Sequence, residues 1–104
     1  MENGNVNEFI ETITNYEAYV LFRGKVYFFN GPSILPGESF CRFEIYWFER
    51  LGDNRIHAHT IYKVAAQTPT ACINAFLKVK IWEGKNFFEV EQEMRLISDE
   101  TDVN

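Results

Sequence analysis

No stretch of this sequence approaches the run of about 18–20 apolar residues that a membrane-spanning helix needs. The N-terminus, Met1-Glu2-Asn3-Gly4-Asn5, is polar and acidic, the opposite of the basic leader of a secretory signal. No Asn-x-Ser/Thr glycosylation pattern occurs. Cysteine is scarce: Cys41 and Cys72 are too few for a disulfide framework, and they fall in segments that read as a strand and a helix. These absences lead to the expectation of a cytoplasmic protein with reduced thiols. Internal repeats, low-complexity tracts, Gly-rich phosphate loops, paired-cysteine zinc patterns and nucleophile elbows are all missing too. No cofactor, metal or catalytic residue is indicated, and the reading is non-enzymatic.

Aromatic residues are what the chain has in quantity. Ten Phe, five Tyr and two Trp make up 16% of the sequence, with 24% charged residues, a composition that argues against disorder. A chain of 104 residues has room for one core and is read as a single domain, 1–104. Its net charge of −5 is uneven. Residues 1–17 carry four acids and no base, residues 18–66 six bases against four acids, and residues 67–104 four bases against seven acids. The ends, 1–7 and 98–104, read as flexible acidic tails flanking a mildly basic middle.

Residues 8–16 fit either a short helix or the lead-in to a strand, because Phe9, Ile10 and Ile13 share a helical face while Thr12, Thr14 and Asn15 weaken it. Residues 18–22 and 25–29 read as strands joined by a tight Arg23-Gly24 turn. Pairing Phe22 with Lys25 places Tyr19, Leu21, Val26 and Phe28 on one face, and Ala18, Val20, Phe22, Tyr27 and Phe29 on the other. Both faces are apolar, so each needs a cover. Asn30-Gly31-Pro32 interrupts the pattern and opens a loop that ends at Pro36-Gly37-Glu38-Ser39.

Residues 40–51 and 55–66 alternate clearly. A two-residue Gly52-Asp53 turn pairs Arg50 with Arg55 and Phe48 with His57, which puts Cys41, Phe43, Ile45 and Trp47 on the core side. Thr68 and Pro69 suit the start of a helix over 71–83 that Gly84 closes. Asn86 and Glu89 form a capping-box pattern ahead of Phe87, Val90, Met94 and Ile97, which predicts a second helix; a strand reading also fits these residues. The expected fold is α+β: a four-stranded antiparallel β-meander packed against two C-terminal α-helices.

His57-Ala-His59 holds the only histidines, and in a strand both rings share one face. A metal there would need further ligands. Glu44 is the one carboxylate the deduced register brings near, while Arg55 and Lys63 on the same stripe repel a cation, so ordinary surface histidines are the better reading. The same face presents Arg42, Arg50, Arg55 and Lys63 around Tyr46, Phe48, His57 and His59. Rings interleaved with cations suit single-stranded nucleic acid, although the overall acidity opposes it. Arg23-Gly24-Lys25-Val26-Tyr27-Phe28-Phe29 resembles part of the RNA-recognition-motif signature, but it lacks the second small residue and the first aromatic, and the βαββαβ order is absent.

The surplus aromatic surface points first to a small protein-binding module, such as an inhibitor, adaptor or assembly subunit. Its expected contacts are Tyr27, Phe29, Tyr46 and Phe48 as anchors, with Arg42, Arg50, Arg55, His57 and His59 around them. The acidic ends fit a partner with a basic surface, and a second copy of the chain is another candidate occupant. The rival reading is a single-stranded nucleic-acid-binding domain that uses the basic-aromatic face.

Overall fold

The computed structural model describes residues 1–99. Its elements in order are α1 (Val6–Asn15), β1 (Ala18–Phe22), β2 (Lys25–Ile34), β3 (Cys41–Arg50), β4 (Ile56–Ala66), α2 (Pro69–Lys78), α3 (Phe87–Val90), a 3-10 turn (Glu91–Glu93) and β5 (Met94–Ile97). The strands form one antiparallel sheet in the order β4-β3-β2-β1-β5. The α+β class and the antiparallel meander are as expected, but there are five strands instead of four, and one helix precedes the sheet. Among the described residues no helix is long and apolar enough to cross a membrane.

Helix α1 forms because Asn5 caps it, accepting from the backbone N–H groups of Asn7 and Glu8, and because Phe9 and Ile13, four residues apart, bury on one face. Thr12 and Thr14, which weaken the helix on propensity, donate their hydroxyls back to the carbonyls of Glu8 and Ile10. Packing of the apolar stripe outweighs that local preference.

Helix α2 starts as the sequence requires, with the Thr68 hydroxyl accepting from the Ala71 N–H and Pro69 in the first turn. It stops at Lys78, five residues before the expected end, and Val79 turns extended. The following segment carries Trp82 into the core, at 2% exposure, and closes a tight turn in which Trp82 bridges Lys85. Gly84 therefore serves this turn, with Glu83 and Gly84 at φ 55° and 82°, rather than a helix end.

The Asn86/Glu89 capping box is present, but the helix it opens lasts only four residues. Met94–Ile97 then pairs with β1, opposite Tyr19 to Phe22. Extending the helix would leave an edge of β1 without backbone partners. Strand pairing satisfies those groups and buries Met94 completely.

The N-terminal segment expected as a tail is held to β5. The Glu2 N–H donates to Met94 O, Asn3 exchanges hydrogen bonds with the backbone of Leu96, and the Met1 ammonium pairs with Glu91. Most of the other expected tail lies outside the described residues.

All three helices pack on one face of the sheet. Phe9, Ile13, Cys72, Ile73, Phe76 and Phe87 meet Ala18, Val20, Phe22, Phe29, Phe43 and Ile45 in a single core. Phe29 sits at its centre with no exposed surface, touching the rings of Phe9, Phe43, Phe76 and Trp82. Strand β2 does not end at Phe29 as expected; it continues through Asn30, Gly31 and Pro32 to Ile34, with a bulge between Asn30 and Ser33.

The β3–β4 hairpin differs from its expected register. Asp53 and Asn54 are the residues with positive φ, at 63° and 61°, because short polar side chains tolerate the left-handed region. The Leu51 N–H donates to Arg55 O, so Arg50 stands opposite Ile56, Glu49 opposite His57, and Phe48 opposite Ala58. The shift turns His57 and His59 onto the helix side of the sheet, beyond the helices. A bulge at Ile61 then restores Tyr62, Val64 and Ala66 to the core side, opposite Ile45, Phe43 and Cys41.

Candidate binding face

The helices leave the other face of the sheet to be built by side chains alone. Tyr19 and Leu21 of β1, Val26 and Phe28 of β2, and Tyr46 and Phe48 of β3 lie in register across it. Their rings form one cluster. Phe28 is 4.8 Å from Tyr19, 5.9 Å from Phe48 and 6.3 Å from Tyr46, and Tyr19 is 6.1 Å from Phe48. Phe28 is nearly parallel to both β3 rings, at interplanar angles of 18° and 19°. Each ring is partly buried by its neighbours, and together they cover Val26, which is only 5% exposed.

Charge surrounds this cluster. Arg42, Arg50, Lys63 and Arg95 share the face by register. Its acids are engaged: Glu44 accepts from the Tyr46 hydroxyl, and Glu38 in the preceding loop pairs with Arg42 at 2.7 Å. Two shallow clefts flank the rings along β3. One, of about 360 Å³, is lined by Phe40, Arg42, Glu44 and Lys63; the other, of about 390 Å³, by Val26, Phe48, Arg50 and the Gly24-Lys25 end of the first hairpin.

Arg42, Tyr46, Phe48 and Arg50 therefore share the open face. Phe29 is core and can anchor nothing. Tyr27 lies on the helix side, 5.2 Å from the Trp82 ring, and its burial pushes the phenol pKa up. Arg55 sits in the turn, where its Nε donates to Gly52 O.

The histidines join a separate cluster on the helix side. His59 Nε2 is 2.8 Å from Glu49 Oε1, the His59 ring stacks on Trp47 at 4.9 Å, His57 lies 4.4 Å from His59, and Lys25 Nζ lies 4.7 Å from the centroid of Trp47. The nearby carboxylate is Glu49 instead of Glu44, and Lys63 lies on the opposite face. Among the described residues no group of three or more His, Cys, Asp or Glu side chains is arranged to hold a metal ion.

Tyr19, Phe28 and Arg95 belong to the face but are missing from the sequence-derived contacts. The first hairpin does sort Tyr19 with Phe28, and small Ala18 and Val20 on its other side mark where helices can approach. Only the strand assignment of 94–97 brings Arg95 beside Leu21.

Cys41 and Cys72 are buried at 1% and 0% exposure, and the Cys72 thiol, pushed up in pKa first by burial and then by Cys41, donates to Cys41 O. A buried thiol of raised pKa such as Cys72 suits packing better than nucleophilic chemistry. No family model, curated protein or solved structure matches the chain.

Proposed function

We propose that this protein is a non-enzymatic binding module whose docking surface is the outer face of the sheet and whose partner is another protein. One observation carries the reading: the contiguous cluster of Tyr19, Phe28, Tyr46 and Phe48 on the face that the helices leave uncovered. Aromatic groups ringed by arginine are the composition of interface cores, where a few large side chains supply most of the binding energy. The buried thiols are in keeping with a module that does no covalent chemistry. A second copy of the chain would meet the same face.

The test compares the wild-type protein with a Tyr46→Ser/Phe48→Ser double variant as baits in a native extract. A stoichiometric protein captured by the first and lost by the second, with the variant's circular dichroism unchanged, is the expected result. Equal capture by both, or none by the wild type together with a monomeric sedimentation profile, counts against it.

A second reading, single-stranded nucleic acid, draws on Arg42, Arg50, Lys63 and Arg95 around the same rings. Retention of a labelled oligothymidylate at low salt, abolished by Arg42→Glu/Lys63→Glu, would favour it.

A further inference from the structure

The outer face is basic on an acidic molecule. Strands β3, β4 and β5 contribute Arg42, Arg50, Lys63 and Arg95 to it, against Glu44 and the loop residue Glu38 that pairs with Arg42, while the whole chain carries −5. Charge is therefore segregated, and whatever docks here meets a local field of the opposite sign to the molecule's net charge.

The cations are also unevenly placed within the face. Arg42 and Lys63 line the cleft at one end of β3, with Glu44, and Lys25 and Arg50 line the cleft at the other, with Glu49, so the cations outnumber the acids in both. Arg42 and Arg50 stand at positions 42 and 50 of one strand, about 26 Å apart at roughly 3.3 Å per residue. Between them lie Tyr46, Phe48, Phe28 and Val26, with Ala58 and Thr60 of β4 alongside; Glu44 accepts from the Tyr46 hydroxyl, and Glu38 is paired with Arg42.

We infer that the occupant of this face is an extended, acidic segment of a partner protein, with carboxylates about eight residues apart and apolar or aromatic side chains between them. The inference rests on the protein-binding reading above and deepens it. A nucleic acid fits the same field less well, because a single strand carries a phosphate at every nucleotide and so sets negative charge over the apolar centre and over Glu44. The acidic remainder of the surface repels such a polyanion further. A peptide can confine its charge to the two clefts and lay apolar side chains on the rings. It also reverses the charge expected of the partner: the segment that docks here is acidic, not basic.

The test is selection of a phage-displayed library of random dodecapeptides on the immobilised full-length protein. Retained peptides are then measured against the wild type, Arg42→Glu/Lys63→Glu and Tyr46→Ser/Phe48→Ser, each checked by circular dichroism. The expected result is enrichment of sequences with acids near both ends and an apolar centre. Those peptides bind the charge-reversed variant about tenfold more weakly, with a salt dependence that the variant loses. Peptides that need Tyr46 and Phe48 but show no excess of acids, or that bind the charge-reversed variant equally, overturn this inference and leave the protein-binding reading standing. If no peptide depends on the rings, both fall. Tighter binding of an oligothymidylate than of any selected peptide at about 150 mM salt, lost in Arg42→Glu/Lys63→Glu, also overturns it and makes the face a nucleic-acid surface.

Discussion

Gly31 faces the end of α1 so closely that a β-carbon built on it would stand 2.2 Å from the carbonyl oxygen of Tyr16. The carbonyl carbon of Tyr16 and the oxygen of Ile13 would lie at 2.9 and 3.2 Å. These are backbone atoms at the C-terminus of a helix whose Phe9 and Ile13 are core, so they cannot yield as the tip of a flexible side chain could. Gly31→Ala should destabilise the protein by about 1–3 kcal/mol, read as a fall in the urea midpoint. Gly52→Ala, where a β-carbon meets nothing within 4 Å, is the control and should stay within about 0.5 kcal/mol of wild type.

Phe28 and Phe29 are neighbours in sequence on opposite faces of β2, one in the outer cluster and one at the centre of the core. Phe29→Ala should lose about 3–5 kcal/mol through cavity formation among Phe9, Phe43 and Phe76. Phe28→Ala should lose only about 1–2 kcal/mol, because its ring is already partly exposed, yet it should weaken partner binding. Equal losses in the two variants would mean that the outer face is covered by something other than its own side chains.

The first hairpin was readable from the sequence because Arg23-Gly24 leaves one tight turn available, and its register follows from that. The second hairpin misleads because Gly52, Asp53 and Asn54 are all turn formers. Closing it with a two-residue Gly52-Asp53 turn, instead of the three-residue Gly52-Asp53-Asn54 loop that sets Leu51 opposite Arg55, slips the register by one residue and moves every β4 side chain to the other face until the bulge at Ile61 reverses it. That choice wrongly placed the histidines among the rings of the open face. Strand β5 was hidden for another reason: its four residues carry no alternation of their own and acquire a conformation from the free edge of β1. Arg42, Tyr46 and Phe48 were legible because β3 is long and strictly alternating. Tyr19 and Phe28 were legible as a pair, and what remained open was which side the helices take.

The register itself can be tested by cross-linking. Residues directly opposite in an antiparallel pair have Cα atoms about 4.5–5.5 Å apart, within the span a disulfide accepts. Glu49→Cys/His57→Cys should therefore form an intramolecular bond under mild oxidation. Phe48→Cys/His57→Cys should not, because those side chains leave opposite faces. The native thiols, buried and with Cys72 raised in pKa, should stay reduced throughout. Mass spectrometry after alkylation distinguishes the cases, and a bond in the second variant alone would restore the shifted register.

Arg23 clasps Glu93 with two parallel hydrogen bonds of 3.0 Å, from Nε and Nη2, and also pairs with Glu83, tying the first hairpin to the segment before β5. The hydrogen bonds from Arg23, and then its charge, hold the Glu93 carboxyl below the usual carboxylate range. A carboxyl whose pKa is lower in the folded than in the unfolded chain contributes stability above its ordinary value, and that contribution disappears as pH falls through the lowered one. Glu93→Gln removes the titration. The gap in urea midpoint between wild type and this variant should therefore be present near pH 7 and close as the pH is taken below about 4. Both partners are substantially solvent-exposed, at 41% and 50%, so the gap should be small and should shrink in high salt. A gap that is unchanged between neutral and acid pH, or that widens in acid, would mean that the pair contributes no charge-dependent stability and that β5 is held by its backbone ladder to β1 and by the N-terminal segment.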